Sequence, residues 1–194
     1  MKNNRFLFMN IAYIGALIAL QVVLGNLVQI AMLTKQMNFG FLPIAVAGYL
    51  FGPAGGILVA TLGDMIGTVL FGTGAYFPGF TVTAALVGAA YGWMLYPRYH
   101  KWVNGCCKSR TGGLTIRAAL ASVLGAVFYA FLNSYWLTFF ISKGYWVIFL
   151  GRLPFHLIEI PIFTAVITVC CAQMKRLPRM LLPDEIRKNV VEKP

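Results

Sequence analysis

Only a few ionisable side chains interrupt the long apolar runs of this sequence, and these are the residues that could do chemistry. Asp64 lies in the middle of one run, and Arg152, His156 and Glu159 lie at i, i+4 and i+7 of another, on one helix face. Ionisable groups inside apolar spans are costly, which marks them as functional candidates. A basic, a titratable and an acidic group together suit a zwitterionic or multifunctional ligand. The alternative is an internal ion pair of Arg152 with Glu159 or Asp64 that only holds helices together.

An aromatic stretch with glycine and proline is the second candidate site. Residues 74–81 read Gly-Ala-Tyr-Phe-Pro-Gly-Phe-Thr and contain Tyr76, Phe77 and Phe80. Aromatic rings stack on flat heterocycles, and a loop with two glycines can close over such a ligand. The pattern therefore favours a binding loop over an interfacial aromatic belt.

Further aromatic and amide side chains lie near the ends of the last two apolar runs. Trp136 is a candidate for ring stacking, whereas Tyr145 and Trp146 are typical of a membrane-interface belt. Asn133 is an amide in the middle of a predicted helix. It could hydrogen-bond to a ligand or merely bridge two helices.

The composition defines the environment in which these residues must be positioned. The 194 residues are 59% hydrophobic and 11% charged, whereas soluble domains carry about 25% charged residues. Such a chain cannot cover a globular surface with polar groups, so lipid must cover most of it. The net charge of +11 could suggest nucleic-acid binding. However, the basic residues cluster in short segments between apolar runs, as the positive-inside rule expects, and we predict no nucleic-acid partner.

The apolar runs predict an all-α polytopic membrane protein, a single domain of six transmembrane helices with both termini in the cytoplasm. Residues 39–70 are the difficult segment, since one helix of that length would measure about 48 Å against a hydrocarbon core of about 30 Å. A turn at Gly52-Pro53 resolves this, because proline cannot continue a helix. Two crossings leave only Lys35, Lys143 and Arg152 of the 16 Lys and Arg residues towards the outside. The predicted spans are about residues 6–24, 39–52, 55–71, 80–96, 118–141 and 147–173, followed by a short cytoplasmic tail, 174–194.

The first predicted helix carries small residues at spacings of four. Such spacing lets two helices approach closely in lipid. The facing helix could belong to a partner protein or to this same chain. The residues are Ala12, Gly15, Ala16 and Ala19.

Motifs of catalysis and of metal binding are missing from the sequence. It contains no Walker A, HExxH, GxSxG or SxxK motif, so we expect no ATP hydrolysis by this chain and no enzyme activity. The four cysteines form two adjacent pairs, Cys106-Cys107 and Cys170-Cys171, without zinc-ligand spacing. We expect reduced thiols, no bound metal and no cofactor.

Several stretches resemble the substrate-binding S components of energy-coupling factor (ECF) vitamin transporters, and within them the folate-type branch. The Gly-Asp-x-x-Gly stretch around Asp64 is shared broadly among S components, and the Tyr-Phe-Pro-Gly-Phe-Thr stretch is the more folate-specific piece. One departure follows Arg152, where family members often carry further charged residues and this chain has Leu-Pro-Phe-His. The resemblance covers about residues 6–175, and its matching stretches are 41–48, 51–53, 62–67, 74–81, 132–137, Arg152 and 160–162.

The resemblance implies six membrane helices in a prokaryotic cell membrane, with an outward pocket for a vitamin, folate above all. Arg152, with Lys35, would then meet the ligand's carboxylates, and Asp64 or Glu159 would accept from the pterin N–H groups. Tyr76, Phe77, Phe80 and Trp136 would stack on its rings. The family also implies a transmembrane coupling protein and two ATPase subunits as partners, with the small residues of the first helix facing the coupling protein.

Three alternatives remain open at this point. The first is an S component for another vitamin or cofactor precursor, such as thiamine, pantothenate or a pterin-like compound. The second is a membrane-embedded enzyme that uses Asp64, His156 and Glu159. The third is a purely structural subunit of a larger membrane complex.

Overall fold

The computed structural model describes residues 2–27, 29–31, 36–71, 77–97, 112–140 and 144–174. Within these ranges the fold is helical apart from two short antiparallel strands, β1 (Gln29–Ala31) and β2 (Gln36–Asn38), which pair Ile30 with Met37. The helices are α1 (Lys2–Asn26), α2 (Phe41–Phe71), α3 (Pro78–Leu95), α4 (Gly112–Leu137) and α5 (Tyr145–Met174).

Three of these helices, α2, α4 and α5, are long and apolar enough to cross a membrane, and Ile11–Asn26 of α1 is a shorter apolar helix. Large apolar side chains also cover much of the outside of the bundle. Val69 is 78% exposed, Trp146 67% and Leu157 64%. Water would not tolerate an apolar surface of this extent on a soluble monomer, so the protein is a membrane protein.

Helix α2 is broken at Gly52, and the chain reverses direction there. Gly52 has φ 76° and ψ −163°, a conformation that side chains with a Cβ rarely adopt. Gly40, just before the first arm (41–51), packs against Gly25 of α1, and Gly67 in the second arm (53–71) packs against Asn26 of α1. Both arms therefore reach one end of the bundle, hereafter the Gly67 end. Gly52 lies at the opposite, Gly52 end, against the ring of Tyr96.

Close backbone contact joins α2 to α3. A Cβ on Gly48 would lie 2.7 Å from the backbone nitrogen of Gly92, and a Cβ on Gly56 would collide with the carbonyl of Gly88. These positions admit no side chain, so the two helices touch backbone to backbone. The resulting pair surrounds a core that includes Tyr49, Tyr91 and Leu95.

Helix α4 departs from the sequence expectation at both ends. The sequence places residues 112–117 in a polar segment, whereas the structure has them in the helix, with Arg117 only 3% exposed. Arg117 Nε donates to the carbonyl of Met94 at 2.9 Å, and its Nη2 donates to the carbonyl of Leu95. The last carbonyls of a helix have no N–H partner within that helix. The buried guanidinium supplies the missing donors at the end of α3, which is a structural role. Near its other end, α4 passes through a π-helical turn, Tyr129–Asn133.

Helix α5 runs back from the Gly67 end to the Gly52 end. Phe149 near its start lies 4.9 Å from Phe131 of α4, measured between ring centroids, and Phe163 stacks at 3.6 Å on Phe41. Most of its side chains face outward. Its buried residues form one stripe, Ile148, His156, Glu159, Ile167 and Cys171.

Candidate functional site

Two polar side chains form a buried pair on the inward stripe of α5. His156 Nδ1 lies 3.0 Å from Glu159 Oε2, and the two residues are 4% and 5% exposed. The i, i+3 spacing brings them together on one helix face, as the sequence predicts. Charge-assisted contact of this kind offsets part of the cost of burying a carboxylate.

Arg152 lies one turn before this pair and is only partly buried. It interacts electrostatically with Glu159, while its buried Nε has no hydrogen-bond partner among the described residues. A guanidinium carries five N–H donors in a fixed fork. Arg152 therefore retains donor capacity that a ligand carboxylate could take up.

Asp64 is held by a different contact. Its Oδ2 accepts a 2.8 Å hydrogen bond from the hydroxyl of Thr81, which joins α2 to the first turns of α3. Thr68 donates to the backbone carbonyl of Asp64 at 2.8 Å. The carboxylate thus lies at the Gly67 end of the bundle, where α2 meets α3.

Tyr129 and Tyr91 lie near the acidic groups. Tyr129, in the π turn of α4, lies within electrostatic range of both Asp64 and Glu159. Tyr91, in α3, lies within the same range of Tyr129 and Glu159. Helices α2, α3, α4 and α5 therefore each contribute a polar group to one region.

A cluster of rings lies at the same end of the bundle, and Phe77 is its centre. The centroid of Phe77 lies 5.8 Å from Phe80, 5.5 Å from Trp136, 6.1 Å from Phe139 and 5.4 Å from Phe140. The geometries are tilted or edge-on, as aromatic pairs prefer. We call these five residues the aromatic cluster.

The start of α3 explains why glycine and proline occur in the aromatic stretch. Pro78 begins the helix, where its missing N–H costs nothing. A Cβ on Gly79 would lie 2.5 Å from Phe77 Cε1 and 2.6 Å from Trp136 Cδ2, so only glycine lets these rings approach. Trp136 is fixed further by its indole N–H, which donates to the hydroxyl of Thr83 at 3.2 Å.

Asn133 closes the π turn between Tyr129 and Trp136. Its Oδ1 is buried and has no hydrogen-bond partner within the described part of the chain. The amide therefore does not bridge helices through that atom. A buried carbonyl oxygen in this condition is an acceptor for which a ligand can supply the donor.

Asp64 and the aromatic cluster lie at the Gly67 end of the bundle, and His156 and Glu159 lie midway along α5, one of three helices long enough to cross a membrane. The sequence profile of the family described as ECF transporter, substrate-specific component, matches residues 9–170. The chain belongs to this family. The match confirms the resemblance that the sequence motifs carry.

Known relatives of this ECF substrate-specific component include folate transporters. The chain is 29% identical over 168 residues to the folate transporter FolT of Clostridium novyi (strain NT), covering 87% of this chain and 91% of the relative. It is 32% identical over 78 residues to the folate transporter FolT of Leuconostoc mesenteroides, covering 40% of this chain and 42% of the relative. A crystal structure of FolT bound with folic acid matches with a TM-score of 0.68 and 28% identity, covering 81% of this chain and 89% of that one.

The small residues of α1 lie on its outward face in this ECF component. Apart from the backbone of α1 itself, no atom of the described residues comes within 4 Å of a Cβ built on Gly15. The same face carries exposed Ile11 and Leu20, whereas Ile14, Leu17 and Ile18 pack on the core. Within the described residues the small face is not used for packing inside the chain. All four small residues, Ala12, Gly15, Ala16 and Ala19, are exposed.

Several sequence-predicted positions lie outside the described residues. Among the candidate ligand contacts these are Lys35 and Tyr76, with residues 74 and 75 of the aromatic stretch. The Cys106-Cys107 pair and the tail from residue 175 also lie outside them. No group of three His, Cys, Asp or Glu side chains that could hold a metal occurs in the part that the structure describes.

The sequence reasoning missed several residues that the structure brings to the site. Phe139 and Phe140 join the aromatic cluster from the turn after α4. Tyr91 and Tyr129 were indistinguishable from core aromatics in the sequence. Among these residues only Thr81 has a sequence signal, because it is the last residue of the aromatic stretch that resembles the folate-type branch.

Proposed function

We propose that this protein is the folate-binding S component of an ECF importer. The observation that carries the proposal is the match to FolT bound with folic acid over 81% of this chain, at a TM-score of 0.68. The family is one of transporters, so the role of the chain is binding and uptake. We place ATP hydrolysis in partner subunits.

The chemistry of the site fits the chemistry of folate. Folate joins a flat pterin, which carries N–H donors, to an aromatic linker and a glutamate with two carboxylates. Arg152 offers a cation with donor capacity, and Lys35 is proposed to join it. Asp64 and Glu159 are acceptors for N–H groups, and the buried Oδ1 of Asn133 is a third.

The aromatic cluster supplies the remaining surface. Phe77, Phe80 and Trp136 present ring faces and edges at the end of the bundle where Thr81 donates to Asp64, and Tyr76 is proposed to lie with them. Rings of this kind stack on a pterin or an aminobenzoyl group. We assign the ligand contacts to Arg152, Asp64, Glu159, Tyr76, Phe77, Phe80, Asn133, Trp136 and Lys35, and His156 supports this site through its contact with Glu159.

We also infer six membrane spans, with both termini in the cytoplasm of a prokaryotic cell. The reversal at Gly52 supports two crossings by α2, and the clustering of Lys and Arg residues supports the orientation. The Gly67 end, with the site, then faces outward. A fluorescent protein fused to the C-terminus should fluoresce, whereas an alkaline phosphatase fused there should be inactive.

We propose that the outward small face of α1 contacts a transmembrane coupling protein, and that two ATPase subunits complete the transporter. Small residues let helix backbones approach closely in lipid. The exposure of Gly15, with no atom from another described element within 4 Å of a Cβ built on it, supports an intermolecular contact.

Isothermal titration of the purified protein in detergent or nanodiscs tests the ligand. Folic acid, thiamine and pantothenate form the panel, and only folic acid should bind tightly. Pterin-6-carboxylate and p-aminobenzoylglutamate, the two halves of the ligand, should each bind more weakly than the whole. Tight binding of another vitamin without binding of folic acid would refute the folate assignment and leave family membership intact.

A further inference from the structure

The histidine of α5 is buried beside a carboxylate on a helix whose other surfaces are largely apolar. His156 and Glu159 are two of the residues on its buried stripe, and they lie at its centre, between Ile148 and Ile167. Placing two polar groups at the innermost positions of a membrane helix costs free energy unless they serve each other or a ligand.

The contact defines a donor and an acceptor. Glu159 Oε2 lies 3.0 Å from His156 Nδ1, not from Nε2. When the Glu159 carboxylate is ionised its oxygens can only accept, and Nδ1 of His156 is then the donor of this contact. The two side chains are on neighbouring turns of one helix, and this hydrogen bond restricts the rotation of the carboxylate.

Glu159 also interacts with a cation of its own helix, since Arg152 lies seven residues before it on α5 and attracts it electrostatically. Tyr91 of α3 and Tyr129 of α4 lie within electrostatic range of the same carboxylate. Tyr129 is also within range of Asp64 of α2. Glu159 therefore lies in the region where α3, α4 and α5 meet.

We propose that His156 is a positioning residue. Its Nδ1–H holds the Glu159 carboxylate in the orientation in which it accepts N–H donors of the ligand's pterin half, and His156 itself need not touch the ligand. The proposal rests on the folate-binding function proposed above. The role belongs to Nδ1 of His156, acts through Glu159, and affects the pterin half of the ligand.

Three variants of His156 separate this role from simple packing. The amide nitrogen of asparagine occupies nearly the place of Nδ1, whereas that of glutamine reaches the place of Nε2. H156N should therefore keep an affinity for folic acid close to that of the parent protein. H156Q and H156L should lose about tenfold to a hundredfold, the size expected for a hydrogen bond to a charged group. The loss should appear with pterin-6-carboxylate and not with p-aminobenzoylglutamate.

Thr164→Val is the matched control, because among the described residues the Thr164 hydroxyl bonds only the carbonyl of Ile160, within the same helix. It should bind both fragments as the parent protein does. Parent-like binding by H156L, or equal losses in H156N and H156L, would overturn the positioning role while folic acid still binds the parent protein. If H156L does not fold, the affinities of H156N and H156Q for folic acid test the positioning role, and equal affinities would overturn it. Failure of the parent protein to bind folic acid would instead overturn the proposed function.

Discussion

The hydroxyl of Thr81 donates a 2.8 Å hydrogen bond to Oδ2 of Asp64, and this bond joins α3 to the second arm of α2. Asp64 is half-buried, so the loss of this donor leaves a carboxylate with poor compensation. We expect Thr81→Val to lower the free energy of unfolding by about 1–3 kcal/mol and to weaken folic acid binding. Thermal unfolding and titration in the same detergent measure both effects.

Thr61→Val is the control for Thr81. Within the described part of the chain, the Thr61 hydroxyl donates only to carbonyls of its own helix, those of Ile57 and Leu58. Its loss should change stability by a few tenths of a kcal/mol. Equal losses of stability in Thr81→Val and Thr61→Val would show that the bond to Asp64 adds no more stability than a bond within one helix.

Gly52 has a positive φ, a backbone conformation that strains residues with a Cβ. At φ 76° and ψ −163° a residue with a Cβ is strained, although a Cβ there would lie 3.6 Å from the Tyr96 ring, at ordinary contact distance. Gly52→Ala should therefore lower stability by about 1–3 kcal/mol through the backbone alone. Gly151→Ala is the control, since its Cβ would meet no atom of another described element within 4 Å. It should be neutral or stabilising by up to about 1 kcal/mol. Equal melting temperatures for the two variants would contradict the strain argument.

Arg117 stabilises the end of α3 through the carbonyls of Met94 and Leu95. Arg117→Met removes both donors and leaves buried acceptors without partners, and we expect a loss of about 1.5–3 kcal/mol. Arg117→Lys keeps the charge but not the two-pronged geometry, and should fall between the parent protein and the methionine variant. A methionine variant as stable as the parent protein would show that the carbonyls find other donors.

Arg152 is predicted to act on the ligand and not on the fold. Arg152→Ala should reduce the affinity for folic acid and for p-aminobenzoylglutamate about tenfold to a hundredfold, because a charge-assisted bond to a carboxylate is lost. Binding of pterin-6-carboxylate through its ring, and the melting temperature, should change little. Thr168→Val, which removes only a hydroxyl bonded to the carbonyl of Thr164, is the control on the same helix. A structural ion pair would produce the reverse result, lost stability with unchanged affinity.

The outward face of α1 is predicted to serve assembly. Gly15→Leu should prevent co-purification of the coupling protein and ATPase subunits with a tagged chain, because a bulky side chain blocks close helix approach. Folic acid binding by the isolated protein should not change. Gly151→Leu is a matched control, since Gly151 is also exposed and equally open. Assembly that survives Gly15→Leu would move the interface elsewhere.

The sequence predicted those parts of the site that depend on neighbours along the chain. His156 and Glu159 meet because i, i+3 positions of any helix share a face, and Gly52-Pro53 breaks α2 because glycine alone tolerates the required φ there. The first arm of α2 spans only residues 41–51. Hydropathy averaged over a window of membrane-spanning length therefore does not separate it from the second arm. The π turn of α4 has no comparable sequence signal.

By itself, the sequence determined that the protein lies in a membrane, which family it belongs to, and where its few ionisable groups fall on their helices. These follow from composition, motifs and helical periodicity, which are local properties. Tertiary structure decided that Thr81 holds Asp64, that Arg117 is buried against the end of α3, and that the small face of α1 points outward. Each of these depends on contacts, or on a lack of contacts, between residues distant in sequence. No periodicity encodes such contacts, because they arise only when the helices pack.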